Sequence, residues 1–120
     1  MKILIVDDSR VMRAVIRRCL AEAGWQSHAV LEAGDAETAL QLIAEERPEV
    51  VLTDLYMPGL TGIEMLEEVR QRGLTMTVGF ITSETHPDLK EVALAEGAHF
   101  VITKPPTVAA LRQALAAVLG

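Results

Sequence analysis

At 120 residues, with a net charge of −6 from 11 basic and 17 acidic side chains, the chain is sized for one domain over residues 1–120 and has no surplus of positive charge with which to grip a nucleic-acid backbone. Half of its residues are hydrophobic and only 3% aromatic, so the core has to be built from Val, Ile, Leu, Ala and Met, as in an α/β layer structure. A single cysteine, Cys19, rules out an internal disulfide and reads as a core thiol, and no apolar run approaches the ~20 residues that span a bilayer. Together these predict a soluble, cytoplasmic protein with no membrane contact.

The opening run Ile3–Val6 is continuously apolar, as in a strand covered on both faces, and Asp7-Asp8 halts it well short of a signal-peptide core. Ser9 can cap a helix in which Met12, Val15, Ile16, Cys19, Leu20 and Ala23 recur at helical spacing up to Gly24, with Arg10, Arg13, Arg17 and Arg18 on the opposite face. Ser27–Leu31 reads as a second, less apolar strand near an edge. Ala36, Ala39, Leu40 and Ile43 mark the next helix, and Pro48 closes its exit.

Val50–Thr53 is a third strand that delivers Asp54 to its carboxyl end before Pro58-Gly59 turns the chain away. Thr61 and Glu64 have capping-box spacing ahead of Leu66 and Val69, and Gly73 is a stop. Val78–Thr82 is the fourth strand. Pro87 is expected in the first turn of a helix carrying Leu89, Val92, Ala93 and Ala95, which ends at Gly97. Phe100–Ile102 is the fifth strand, Lys104-Pro105-Pro106 breaks it, and Thr107 caps a last helix with Val108, Leu111, Leu115 and Val118.

This alternation predicts βα units around a parallel sheet, so strand ends scattered along the chain share one edge. Asp7, Asp8, Asp54, Thr82 and Lys104 all fall there. Three clustered carboxylates need a cation or a counter-charge, and Mg2+ suits them because it takes carboxylate oxygens while keeping places for water and phosphate. Asp8 and Asp54 are the direct ligands, with Asp7 acting directly or through water. Zinc is disfavoured, since His28, His86 and His99 stand apart from one another and from Cys19. Lys104 supplies a counter-ion and the Thr82 hydroxyl a donor, so Asp54 reads as a nucleophile able to take a phosphoryl group.

Ile5-Val6-Asp7-Asp8-Ser9, Asp54 with Met57-Pro58-Gly59 and Gly62, Thr82-Ser83 and Lys104-Pro105 stand in the order and spacing of one family. Over essentially its whole length the chain resembles a response-regulator receiver domain, the CheY-like phosphoacceptor module of two-component signalling. The resemblance implies a single (βα)5 flavodoxin-like, doubly wound α/β domain with strand order 2-1-3-4-5. It implies that Asp54 takes phosphate from a sensor histidine kinase or a histidine phosphotransfer protein. Asp7, Asp8 and the backbone carbonyl of Tyr56 would join Asp54 around Mg2+, and Thr82 and Lys104 would read the phosphoryl group. Tyr56 and Glu84 would occupy positions that tune dephosphorylation, and the Lys104–Pro105 bond would be cis. Output would pass through the last two helices and the strand between them to a downstream protein or an output domain, as a monomer or a phosphorylation-dependent dimer.

At the aromatic switch the chain departs from the family, because that position holds Val101 while Phe100 is one place earlier, on the opposite face of the strand. Arg10, Arg13 and Arg17 are candidates for docking the phosphodonor, against a merely solvated helix face. Two other functions compete. A phosphatase passing through an aspartyl phosphate needs a second aspartate two residues after the nucleophile, where this chain has Tyr56. A phosphorylation-independent module would keep the fold alone. Nucleotide and flavin binding are disfavoured, because no glycine-rich loop follows the first strand.

Overall fold

The computed structural model describes residues 1–25, 28–83 and 86–119. Five parallel strands, β1 (Lys2–Val6), β2 (Ala29–Ala33), β3 (Val50–Thr53), β4 (Thr77–Thr82) and β5 (Phe100–Thr103), form one sheet in the order β2-β1-β3-β4-β5. The intervening helices are α1 (Arg10–Leu20), α2 (Ala36–Glu46), α3 (Gly62–Gln71), α4 (Leu89–Ala95) and α5 (Val108–Leu119). This is the parallel α/β sheet expected from the alternation of elements, in the strand order that the resemblance implies.

Strand alternation divides the core into two layers. Leu4, Val6, Val51, Val78 and Phe80 face α2, α3 and α4. Ile3, Ile5, Leu52, Ile81 and Ile102 face α1 and α5, meeting Ile16, Leu20, Leu111 and Leu115. The continuous apolar reading of β1 holds, since Ile3–Val6 are all fully buried. Phe100 and Val101 fall on opposite layers, as alternation requires.

Local signals set most helix ends. The Ser9 side chain accepts the Met12 amide at 3.1 Å. Thr61 and Glu64 close the expected capping box, at 2.9 and 3.1 Å. Thr107 Oγ1 accepts the Ala110 amide at 3.0 Å, and the Lys104–Pro105 peptide is cis.

Two elements differ from the sequence reading. β2 runs to Ala33, beyond the expected Leu31, because it pairs with β1 from Lys2↔Ala29 to Val6↔Ala33. Glu32, one residue past the expected end, is neutralised by Arg13 and Arg17 and the ladder continues through it. Ser27, the expected start of β2, lies outside the described residues, as does the side chain of Val118. The second difference is Pro87, which lies in a turn before α4 and not in its first turn: the Leu89 amide closes onto the His86 carbonyl at 3.1 Å, so helical bonding begins only at Asp88. Val92 of that helix is half exposed and lines an open groove with Leu55, Tyr56, Ile63 and Leu89.

Candidate functional site

Ladder hydrogen bonds carry the candidate residues to one sheet edge. The Asp7 amide donates to Ala33 O at 3.1 Å, the Asp54 amide to Val6 O at 2.9 Å and the Lys104 amide to Thr82 O at 2.8 Å. Each strand thus presents its terminal side chain beside its neighbour's, at the carboxyl edge where open α/β sheets bind ligands. Carboxylate oxygens of Asp7, Asp8 and Asp54 lie within 4.8 Å of one another, with Asp7 buried, Asp54 partly buried and Asp8 exposed.

Lys104 completes the group. Its Nζ donates to Oδ2 of Asp7 at 2.6 Å and to Oδ2 of Asp54 at 2.9 Å. Burial pulls this ammonium's pKa down, but the hydrogen bonds and charges of Asp7 and Asp54 outweigh it and hold the pKa above the usual lysine value. Every polar atom of Asp7 is engaged: its amide with Ala33, its carbonyl with Arg13, Oδ1 with the Ser9 amide and Oδ2 with Lys104. Asp54 Oδ1 accepts the Leu55 amide at 2.7 Å. The Asp8 side chain has no hydrogen-bond partner among the described residues, which leaves it the carboxylate most open to a ligand.

An all-oxygen donor set fits a hard divalent cation. Three carboxylates less one ammonium leave two negative charges, which matches its charge.

A family model described as "response regulator receiver domain" matches residues 3–116. The chain belongs to that family. This receiver is similar to the chemotaxis protein CheY of Pseudomonas aeruginosa, 36% identical over 115 residues that cover 94% of this chain and 91% of that protein. It is also similar to the sensor histidine kinase RcsC of Salmonella typhi, 33% identical over 116 residues, which cover 97% of this chain and 12% of the kinase. The chain therefore spans a small fraction of its kinase relatives. In structure it resembles Vibrio cholerae chemotaxis protein CheY4, with a TM-score of 0.85 at 32% identity, covering 98% of this chain and 97% of that one. The receiver family places the chain in two-component signalling, and none of its described helices is long and apolar enough to cross a membrane.

The remaining candidates of this receiver divide. Thr82 is buried at the end of β4, beside the site. Tyr56, two residues past Asp54, is 58% exposed, whereas Glu84 lies outside the described residues. Val101 packs among the α2–α4 layer. The Phe100 ring lies so close over Gly79 that a Cβ there would come within 2.1 Å of it, which holds the ring in the other layer.

The arginines expected as one basic face are split in the structure. Arg13 Nε donates to Glu32 Oε1 at 2.9 Å, and Arg17 Nη2 donates to Glu32 Oε2 at 3.0 Å and to Val30 O at 3.2 Å. Arg18 pairs with Glu22, and Arg10 is exposed. Helical periodicity shows which residues share a face but not that a strand glutamate meets them. Among the described residues, Glu32 and Thr53 are neighbours of the site that sequence reasoning missed. Thr53 is fully buried and donates its hydroxyl to Asp54 O at 2.9 Å. Nothing in the local pattern marks Glu32, since it lies just past the expected end of β2.

Proposed function

We propose that Asp54 accepts a phosphoryl group from a phosphohistidine on a sensor histidine kinase or a histidine phosphotransfer protein, in a Mg2+-dependent reaction that changes partner binding. The observation that carries this reading is the Lys104 ammonium bridging Asp7 and Asp54 within a three-carboxylate cluster. A carboxylate oxygen of Asp54 attacks phosphorus in line with the P–N bond; the new P–O bond forms as the imidazole nitrogen departs with the bonding pair. Asp8 and Asp54 would hold the cation, with Asp7 acting directly or through water and the Tyr56 carbonyl as a further ligand. Bound there, Mg2+ neutralises charge on the transferring group.

Lys104 then exchanges its contact with Asp54 for a phosphoryl oxygen, and the Thr82 hydroxyl donates to another. The self-catalysed transfer and later hydrolysis make this a switch and not an enzyme acting on outside substrates, with Tyr56 setting how easily water reaches the acyl phosphate. The donor meets the start of α1, where Arg10 is exposed. Arg13 and Arg17 reach a donor only by releasing Glu32. The altered surface is that of α4, β5 and α5, where Lys90, Val101 and Ala110 border an open groove.

The test is intact mass after incubation with acetyl phosphate and Mg2+. One added phosphoryl group, lost with EDTA and with Asp54→Asn, is the expected result. No adduct on the wild-type chain overturns the proposal and favours a phosphorylation-independent module, the reading to which Val101 points.

A further inference from the structure

We propose that Arg13 is a positioning residue for the metal pocket: by holding the Asp7 carbonyl it aims the Asp8 carboxylate, and Glu32 holds Arg13 in place for that task. The inference rests on the reading of Asp7, Asp8 and Asp54 as a Mg2+ site.

Asp8 is the carboxylate with least support of its own. It is exposed, and its side chain has no hydrogen-bond partner among the described residues. The two peptide planes that flank it therefore fix where its Cα–Cβ bond leaves the backbone, and with it the arc its carboxylate can reach through χ1 and χ2. The plane before it carries the Asp7 carbonyl, which accepts Arg13 Nη1 at 2.6 Å. The plane after it carries the Ser9 amide, which donates to Asp7 Oδ1 at 2.8 Å. One bracket is internal to the loop. The other reaches in from α1.

A fork makes the second bracket and anchors it at the same time. Arg13 donates Nη1 to Asp7 and Nε to Glu32 Oε1 at 2.9 Å, so the planar guanidinium is fixed at both edges. Glu32 is in turn gripped on its other oxygen by Arg17, through Nε at 3.2 Å and Nη2 at 3.0 Å. A chain of contacts thus runs from the edge strand through Glu32 and Arg13 to the peptide that carries Asp8. Outer groups of this kind orient the ligands of metal sites.

A positive charge near an acidic pocket acts in the opposite direction, because by Coulomb's law alone it weakens cation binding and its removal tightens it. The sign of the change therefore separates positioning from charge. The experiment is calorimetric titration of the whole chain with Mg2+, for wild type, Arg13→Gln, Arg13→Lys and Arg17→Gln, with urea unfolding of each as a check on folding. Arg17→Gln removes the same charge and a Glu32 contact but nothing that touches Asp7.

Both Arg13 variants are expected to bind Mg2+ about tenfold more weakly, and Arg17→Gln within about twofold of wild type. With acetyl phosphate, the half-saturating Mg2+ concentration rises for the Arg13 variants while the rate at saturating Mg2+ stays near that of wild type. Should Arg13→Gln fail to fold, Arg13→Lys alone decides the matter, since it keeps the charge and loses the fork. Unchanged or tighter binding by a folded Arg13 variant overturns the positioning role, as does equal weakening by Arg17→Gln. A wild-type chain that binds no Mg2+ overturns both this inference and the function on which it rests.

Discussion

The Lys104 ammonium ties Asp7 to Asp54, residues 97 and 50 positions away from it in the chain, through contacts of 2.6 and 2.9 Å. Asp7 is only 1% exposed, so without that ammonium its charge is buried beside two other carboxylates. Lys104→Met is expected to destabilise the Mg2+-free protein by about 3 kcal/mol, as breaking one side of a buried pair does. Mg2+ should then stabilise the variant more than the wild type, because the cation takes over the lost counter-charge. Urea unfolding at pH 7 with and without Mg2+ measures both, and an identical Mg2+ response in the two proteins contradicts the prediction.

Glu32 provides a pH test of the clasp around Arg13. Burial raises its pKa, but hydrogen bonds and charge from Arg13 and Arg17 outweigh this and leave it below the ordinary glutamate value. A depressed carboxylate contributes stability that is complete above its unfolded pKa of about 4.3 and is lost as the pH falls through the lower folded value. Wild type should therefore exceed Glu32→Gln in stability at pH 7, by no more than about 1 kcal/mol for so exposed a pair. The difference should shrink below pH ~4 as the wild-type carboxylate takes up its proton. Urea midpoints across pH 3–7 show whether the two curves converge on the acid side.

Gly62 touches the site by its lack of a side chain. A Cβ there would lie 2.4 Å from Asp54 O and 2.7 Å from the Phe80 ring, and the first of these is backbone that no rotamer change can move. Gly62→Ala is expected to cost about 3 kcal/mol, the upper end for overpacking, and to slow phosphorylation by shifting Asp54. A variant with wild-type stability and rate would mean that α3 can retreat freely from β3.

Gly79 and Phe100 form a second close contact, and it bears on how a signal leaves the site. With the ring 2.1 Å from any added Cβ, Gly79→Ala alone should destabilise by about 2 kcal/mol. The same change in a Phe100→Leu background should cost less, with a coupling energy of about 1 kcal/mol. Additive costs would show that the ring is free to move, and Phe100 would then be available as the missing aromatic relay.

Several features were readable because their causes are local. The Thr61–Glu64 box needs two residues three apart, and the carboxylate at the end of β3 needs only an apolar run that stops at Asp54. Glu32 was not readable as an interior strand residue, because what keeps it in the ladder is a pair of arginines on another element. The start of α4 was misplaced for a related reason: Pro87 suits a first helical turn, but the His86 carbonyl is already taken by Leu89. Arg13 was visible as a charge on a helix face, and its partner Asp7 O is a backbone atom that side-chain patterning does not display.

Periodicity and residue order determine that there are five strands, the layers they separate and the polar residues that follow β1 and β3, because side-chain alternation and turn chemistry act over a few positions. What tertiary structure alone decides is how neighbours in sequence diverge. Asp7 and Asp8 are the same residue twice, yet Asp7 is sealed by partners from β2, α1 and the end of β5 while Asp8 stands exposed. Burial and charge depend on what packs from elsewhere in the chain, and it is that packing which leaves one of two adjacent carboxylates open to a ligand.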